Sequence, residues 1–209
     1  MINWKKIWYF IWKEDSFASW LVNILLAIII VKFLIYPGLG LLFNTDFPVV
    51  AVVSCSMEHK LTNCGDINKE KDLCGMGDLK YDKIDFANFW ESCGNWYEDK
   101  NITKNMFSGF SFVNGFNKGD IMVLIGTENI NVGDVIVFDS GLGGAPIIHR
   151  IVGVNDDGSL MTKGDHNIDQ MFFERNINKD KVYGKAILKI PYLGWVKVIF
   201  NDFIGGILK

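Results

Sequence analysis

Three short segments carry side chains that could do chemistry together. Ser54-Cys55-Ser56-Met57-Glu58 directly follows an apolar run, and Ile147-Ile148-His149-Arg150-Ile151 sets one histidine inside another. Thr162-Lys163-Gly164-Asp165-His166-Asn167-Ile168-Asp169 places two carboxylates in a turn-like stretch. A hydroxyl, an imidazole and a carboxylate are the parts of a serine nucleophile with its general base and orienting acid. Each segment alone also reads as an ordinary turn or strand residue, because Ser, Gly and Asp are common turn formers. Only the set points to catalysis. His59 and His166 are the alternative imidazoles, and both read as solvated turn residues.

Those groups need a scaffold, and the surrounding pattern predicts a sheet. Phe47 to Val53, Asp120 to Ile125, Asp134 to Phe138, Ile147 to Val154, Ser159 to Lys163 and Val182 to Ile190 are β-branched runs separated by glycine-bearing turns. Strands so closely spaced, with no helical crossover between most of them, predict a mainly β, antiparallel domain over residues 45–195. Between Lys60 and Lys118 the texture changes to Asp, Asn, Lys and aromatics, with helical periodicity at Phe86 to Trp90 and Ile102 to Phe107. That stretch reads as a partly helical insertion, a cap beside the sheet.

Before the sheet, Phe17 to Tyr36 is an apolar run that Asn23 and Lys32 interrupt. About 20 such residues span the ~30 Å hydrocarbon core of a bilayer. Tyr36-Pro37-Gly38 is expected to stop the helix. The run is too long and too far from the start for a cleaved leader, so it reads as a retained anchor. Lys5, Lys6 and Lys13 precede it and no Lys or Arg follows until Lys60, which predicts a cytoplasmic N-terminus and an extracytoplasmic domain at the cell membrane. Trp4, Trp8, Tyr9, Phe10 and Trp12 suit residues 1–16 to the interfacial zone. Residues 196–209 are apolar but short, and interfacial placement and core packing both stay open. With 21 Lys+Arg against 24 Asp+Glu, the net charge of −3 argues against a nucleic-acid partner.

The ordered blocks S-x-S-M-E, G-D-I-x-V, G-D-V-I-V-F, I-I-H-R-I-V-G-V and T-K-G-D-x-N resemble type I signal peptidase. They are most similar to the archaeal and endoplasmic-reticulum type, in which histidine replaces the bacterial lysine base. The resemblance runs from about Phe17 to Trp195, excluding the insertion. It implies a membrane-bound serine endopeptidase that removes signal peptides from secreted preproteins. By position it assigns Ser56 as nucleophile, His149 as general base and Asp165 as the acid of the Gly-Asp pair. Asp169 is the preferred orienter of His149 with Asp165 in support, and the choice between the two acids stays open. The Ser56 N–H and Ser54 hydroxyl become oxyanion donors, with Met57 beside them at the substrate. Cys55 and His59 stand where the family usually has Gly and Pro. The implied substrate binds as an added strand, with small pockets for Ala-like residues.

The partners so implied are signal-peptide-bearing preproteins and the lipid bilayer. Work alone and work with translocation machinery or other subunits both stay open. A non-catalytic accessory or binding subunit of a secretion complex is the alternative reading, and a membrane-tethered structural β-domain a third. Cys64, Cys74 and Cys93 lie in the insertion, where a Cys64–Cys74 disulfide or packed free thiols are both compatible with the spacing. Asn101-Ile102-Thr103 is an N-glycosylation sequon. No metal or cofactor is indicated.

Overall fold

The computed structural model describes residues 3–64, 70–77 and 84–199. The chain opens with helix α1 (Trp4–Trp12), capped by the Asn3 side chain accepting from Lys6 N–H. Helix α2 (Phe17–Phe43) follows, and it is long and apolar enough to cross a membrane. The two are joined by polar groups of the apolar run. Ser19 Oγ donates to Phe10 O, and Asn23 Nδ2 donates to Ile11 O at 2.9 Å. The last carbonyls of a helix have no partner within it. Asn23 thus serves as a cap for α1.

The helix does not stop at Pro37, as the sequence led us to expect. Residues Val31–Ile35 form a π-helical turn, with Tyr36 N–H donating to Val31 O, and α-helix resumes to Phe43. Proline breaks a helix by removing a donor and crowding the carbonyl four residues back. Here Pro37 falls in the first turn after a wider turn, where a missing N–H is tolerated. Asn44, at φ 51°, ends α2.

All the expected strands form: β1 (Val49–Ala51), β2 (Ile121–Ile125), β3 (Val135–Phe138), β4 (Ile147–Val154), β5 (Leu160–Lys163) and β6 (Val182–Ile190). They make one six-stranded sheet in the order β1-β2-β6-β3-β4-β5, every pair antiparallel. β3 lies inside the sheet and is buried on both faces. Val135 and Val137 join a core with Val52, Met57, Met122 and Leu124, whereas Ile136 and Phe138 pack with Ile151, Leu160 and Ile177. That split is the two-residue period of a strand.

Between β1 and β2 lie helices α3 (Phe86–Glu98) and α4 (Lys104–Ser108), capped by Asp85 and Thr103. Phe89, Trp90, Cys93, Tyr97, Ile102 and Phe107 form their own apolar cluster, which meets the sheet at Val152 of β4. The cysteines pair as Cys55–Cys64 and Cys74–Cys93, which corrects the Cys64–Cys74 expectation. Cys93 faces inward from α3 and takes Cys74, and the chain after Cys55 turns back within nine residues to bring up Cys64. Residues 195–199 are helical, with Val196 and Ile199 exposed and Val198 buried. Most of the apolar C-terminal segment lies outside the described residues.

Candidate active site

Ser56 lies in the turn that leaves β1, and the turn is fastened from beneath. Met57 is a fully buried peg in the sheet core. Its carbonyl accepts from Phe116 N–H, and its sulfur from Asp165 N–H. The Ser56 carbonyl accepts from His166 N–H at 2.9 Å. These bonds tie the turn to the loop after β5 and to the segment before β2.

His149 sits in β4 opposite Ile136 of β3 and is 5% exposed. Its Nε2 lies 2.8 Å from Ser56 Oγ. Its Nδ1 lies 2.5 Å from Oε1 of Glu174, a fully buried residue in the 3-10 turn Phe172–Glu174. Glu174 also accepts from Thr162 Oγ1 at 3.1 Å and, through Oε2, from Met171 N–H at 2.8 Å. An ionised carboxylate can only accept, so Nδ1 carries the proton and Nε2 offers its lone pair to the Ser56 hydroxyl. Ser54 Oγ is 3.1 Å from Ser56 Oγ, on the same side of the turn.

The carboxylate that meets His149 is therefore Glu174, and Asp169 does not reach the ring. Asp169 is exposed, accepting from Trp96 Nε1 at 2.8 Å and from Gln170 N–H, with Arg175 3.5 Å away. Chain path explains the difference. At Asp169 the loop still runs along the insertion. Gln170 then bonds Thr162 O through its side chain, and the following turn swings Glu174 beneath His149. No motif marks Glu174. Its one sequence signal is an acidic residue directly after Met171-Phe172-Phe173, an odd place for a solvated charge.

Asp165 does not touch His149 either. It pairs with Arg150, whose Nε and Nη2 donate at 2.9 and 2.7 Å, and accepts from Tyr97 OH at 3.0 Å. Strand alternation sends Arg150 to the face opposite His149, where it also donates to the carbonyls of Ser111, Phe112 and Gly133. Burial opposes ionisation of Asp165, but Arg150 and His59 hold its carboxyl well below the usual carboxylate range. Asp165 is thus the hub that pins the insertion to β4 and β5.

The side chains of His59 and His166 are buried, correcting the expectation of solvated turns. His59 stacks flat on Phe89 at 3.6 Å between centroids and bonds Asp165, and His166 Nδ1 meets Glu58 O at 3.1 Å. Burial pushes both imidazoles below their ordinary pKa. Lys163 is buried between Trp96 and Tyr97, with Nζ donating to Gly164 O, and burial lowers its pKa to about 8. Its ammonium fastens the loop rather than addressing Ser56.

The two buried histidines make stability depend on pH with a definite sign. Below an unfolded pKa near 6.5 the unfolded chain takes up protons that the fold resists, so stability drops as pH falls. Thermal melts should show the midpoint declining from pH 7.5 to 5, and the His59→Gln, His166→Gln double variant should flatten that slope. Below about pH 4, protonation of Asp165 adds a further loss.

Gly164 explains how the dyad fits. A Cβ there would sit 2.7 Å from both His149 Nε2 and Ser56 O. Gly164→Ala is expected to fold but to push the imidazole off Ser56, lowering kcat about 100-fold, since displacements near 1 Å cost that much. Kinetics against wild type check this, and unchanged kcat would mean the dyad tolerates the shift. Beside the dyad a cleft of 520 Å³ opens, lined by Ala51, Val53, Ser56, Ile147, His149 and Met171 among others.

No family model matches the chain. Over 98 residues it is 32% identical to the signal peptidase complex catalytic subunit SEC11 of Chaetomium globosum, covering 42% of this chain and 57% of that protein. The similarity is to signal peptidase subunits. Against subunit SEC11C of Homo sapiens it is 33% identical over 99 residues, covering 42% of this chain and 52% of the relative. Against SEC11 of Colletotrichum graminicola it is 28% identical over 100 residues, covering 58% of that protein. The chain thus spans little more than half the length of these relatives. That similarity, over 42% of the chain, stands beside an antiparallel six-stranded sheet and a helix long and apolar enough to cross a membrane.

Proposed function

We propose that this chain is a membrane-anchored serine endopeptidase that removes signal peptides from secreted preproteins. The observation that carries the reading is the line Ser56 Oγ, His149 Nε2, His149 Nδ1, Glu174 Oε1, with spacings of 2.8 and 2.5 Å at its two ends. Ser56 is the nucleophile and His149 the base. As Oγ attacks the scissile carbonyl, Nε2 takes the hydroxyl proton, and Glu174 balances the imidazolium. His149 then gives that proton to the leaving amine. Water, activated by the same imidazole, releases the acyl group and restores Ser56.

The negative oxygen of the tetrahedral intermediate needs donors set in advance, each worth about 3 kcal/mol. The Ser56 N–H and Ser54 hydroxyl fill that role. β1 is an edge strand and leads into Ser56, so an extended substrate can add beside it, backbone pairing supplying affinity and alternate pockets specificity. Ala51 and Val53 then flank the bound strand. The lysines before α2 favour a cytoplasmic N-terminus with the sheet outside. Association with further subunits fits the complex named for the relatives.

The test is cleavage of a secretory preprotein by the purified chain in detergent micelles, with the cut mapped by mass spectrometry. One cut after a small-x-small stretch at the end of the signal peptide is the expected result. An intact preprotein under conditions where the chain is folded would overturn the reading and leave an accessory subunit in its place.

A further inference from the structure

The nucleophile turn is fastened differently on its two sides. Inward, Met57 is buried and the carbonyls of Ser56 and Met57 accept from His166 and Phe116. Outward, Ser54 is exposed and its hydroxyl meets Ser56 Oγ itself. What ties the outer side is covalent, because Cys55 is bonded to Cys64 at the start of the insertion. Both half-cystines line the cleft that holds Ser56 and His149. The second disulfide does not line that cleft, with Cys93 in α3 inside the insertion's apolar cluster and Cys74 N–H donating to His166 O in the loop after β5.

We infer that Cys55–Cys64 is a positioning pair for Ser56, holding its hydroxyl on His149, and that opening this disulfide slows turnover without unfolding the domain. The inference rests on Ser56 being the nucleophile. The disulfide closes a short loop, nine residues apart in sequence, and the stabilisation from a cross-link grows with loop length. Its main effect is therefore local. The sheet edge that would receive the substrate is held by β2 pairing, which the disulfide does not touch. Loss should thus appear in kcat and not in KM.

An added dithiol would open it by exchange. One reagent thiolate attacks a sulfur to form a mixed disulfide, and the second displaces the protein thiol. Two electrons pass to the protein, Cys55 and Cys64 become thiols, and the reagent leaves as a cyclic disulfide. The closing experiment compares the full chain in detergent with Cys55→Ala/Cys64→Ala and Cys74→Ala/Cys93→Ala, by hydrogen exchange, thermal melting and preprotein kinetics.

In the Cys55→Ala/Cys64→Ala variant, exchange at residues 54–58 should rise severalfold while the sheet stays protected. Its kcat should fall roughly 10- to 100-fold with KM within about twofold, as expected for a displaced nucleophile. Dithiothreitol should slow wild type and spare this variant, and reoxidation should restore wild type. Cys74→Ala/Cys93→Ala should melt lower yet still respond to the dithiol. Unchanged exchange at 54–58 would overturn the positioning role whatever the activity. Raised exchange in a chain whose oxidised wild type cuts no preprotein would uphold the positioning and sink the peptidase reading instead.

Discussion

Ser56→Ala is expected to lower preprotein cleavage by roughly a millionfold, the loss seen when a serine protease surrenders its nucleophile. His149→Ala should cost about as much, and the double variant little more, because the two act as one unit. Ser56 is the cleaner probe. Its side chain is partly exposed, and the backbone bonds that hold its turn, from His166 to Ser56 O and from Phe116 to Met57 O, survive the change. The thermal midpoint should stay near wild type. His149→Ala differs, because it strands the Glu174 carboxylate in a fully buried site. Leaving a buried acceptor without its donor costs about 1–3 kcal/mol, and more when it is charged, so that variant should also melt lower. Single-turnover rates beside melting curves separate the effects. A Ser56→Ala protein of normal stability that still cleaves would place the nucleophile elsewhere.

What could be read in advance was what local pattern controls. Val135-Ile-Val-Phe138 and Ile147 to Val154 announce strands because β-branched runs fit little else, and strand alternation then sets His149 and Arg150 on opposite faces. Ser56 and His149 could be nominated only from the set of blocks and the family resemblance it carries, since each alone reads as an ordinary turn or strand residue. The carboxylate that meets His149 could not. Glu174 reaches His149 only because Gln170 bonds Thr162 O and a 3-10 turn follows, a path no spacing rule encodes. Pro37 misled for a related reason, since a π turn upstream makes room for it. His59 and His166 looked like turn residues because their burial depends on the insertion, through Phe89 stacking and the Asp165 hub. Asp165 itself was nominated for its neighbours Gly164 and Asn167, yet the structure spends it on Arg150.

The choice between the two acids can be made by amidating each. Glu174→Gln is nearly isosteric, and the surrounding donors dictate how the amide sits. Met171 N–H points at the Oε2 position and demands an acceptor there, so the amide oxygen must take that place. The NH2 group then faces His149 Nδ1, and Thr162, whose hydroxyl can accept as well as donate, adapts to it. An NH2 beside Nδ1 selects the opposite tautomer, with the proton on Nε2, and such an imidazole cannot take a proton from Ser56. The expected result is a fall in kcat of about 10⁴, the size found when the acid of a serine-protease triad is amidated. Glu174→Asp keeps the charge one methylene short and should retain more activity than Glu174→Gln. Asp169→Asn is exposed and tied to Trp96 and Arg175, so its rate should stay within about twofold, as usual for surface changes. Asp165→Asn should chiefly lower the melting point, since it leaves Arg150 buried beside a neutral amide. Should Asp169→Asn prove the crippled variant while Glu174→Gln runs at full speed, the carboxylate beneath His149 would have no part in the chemistry.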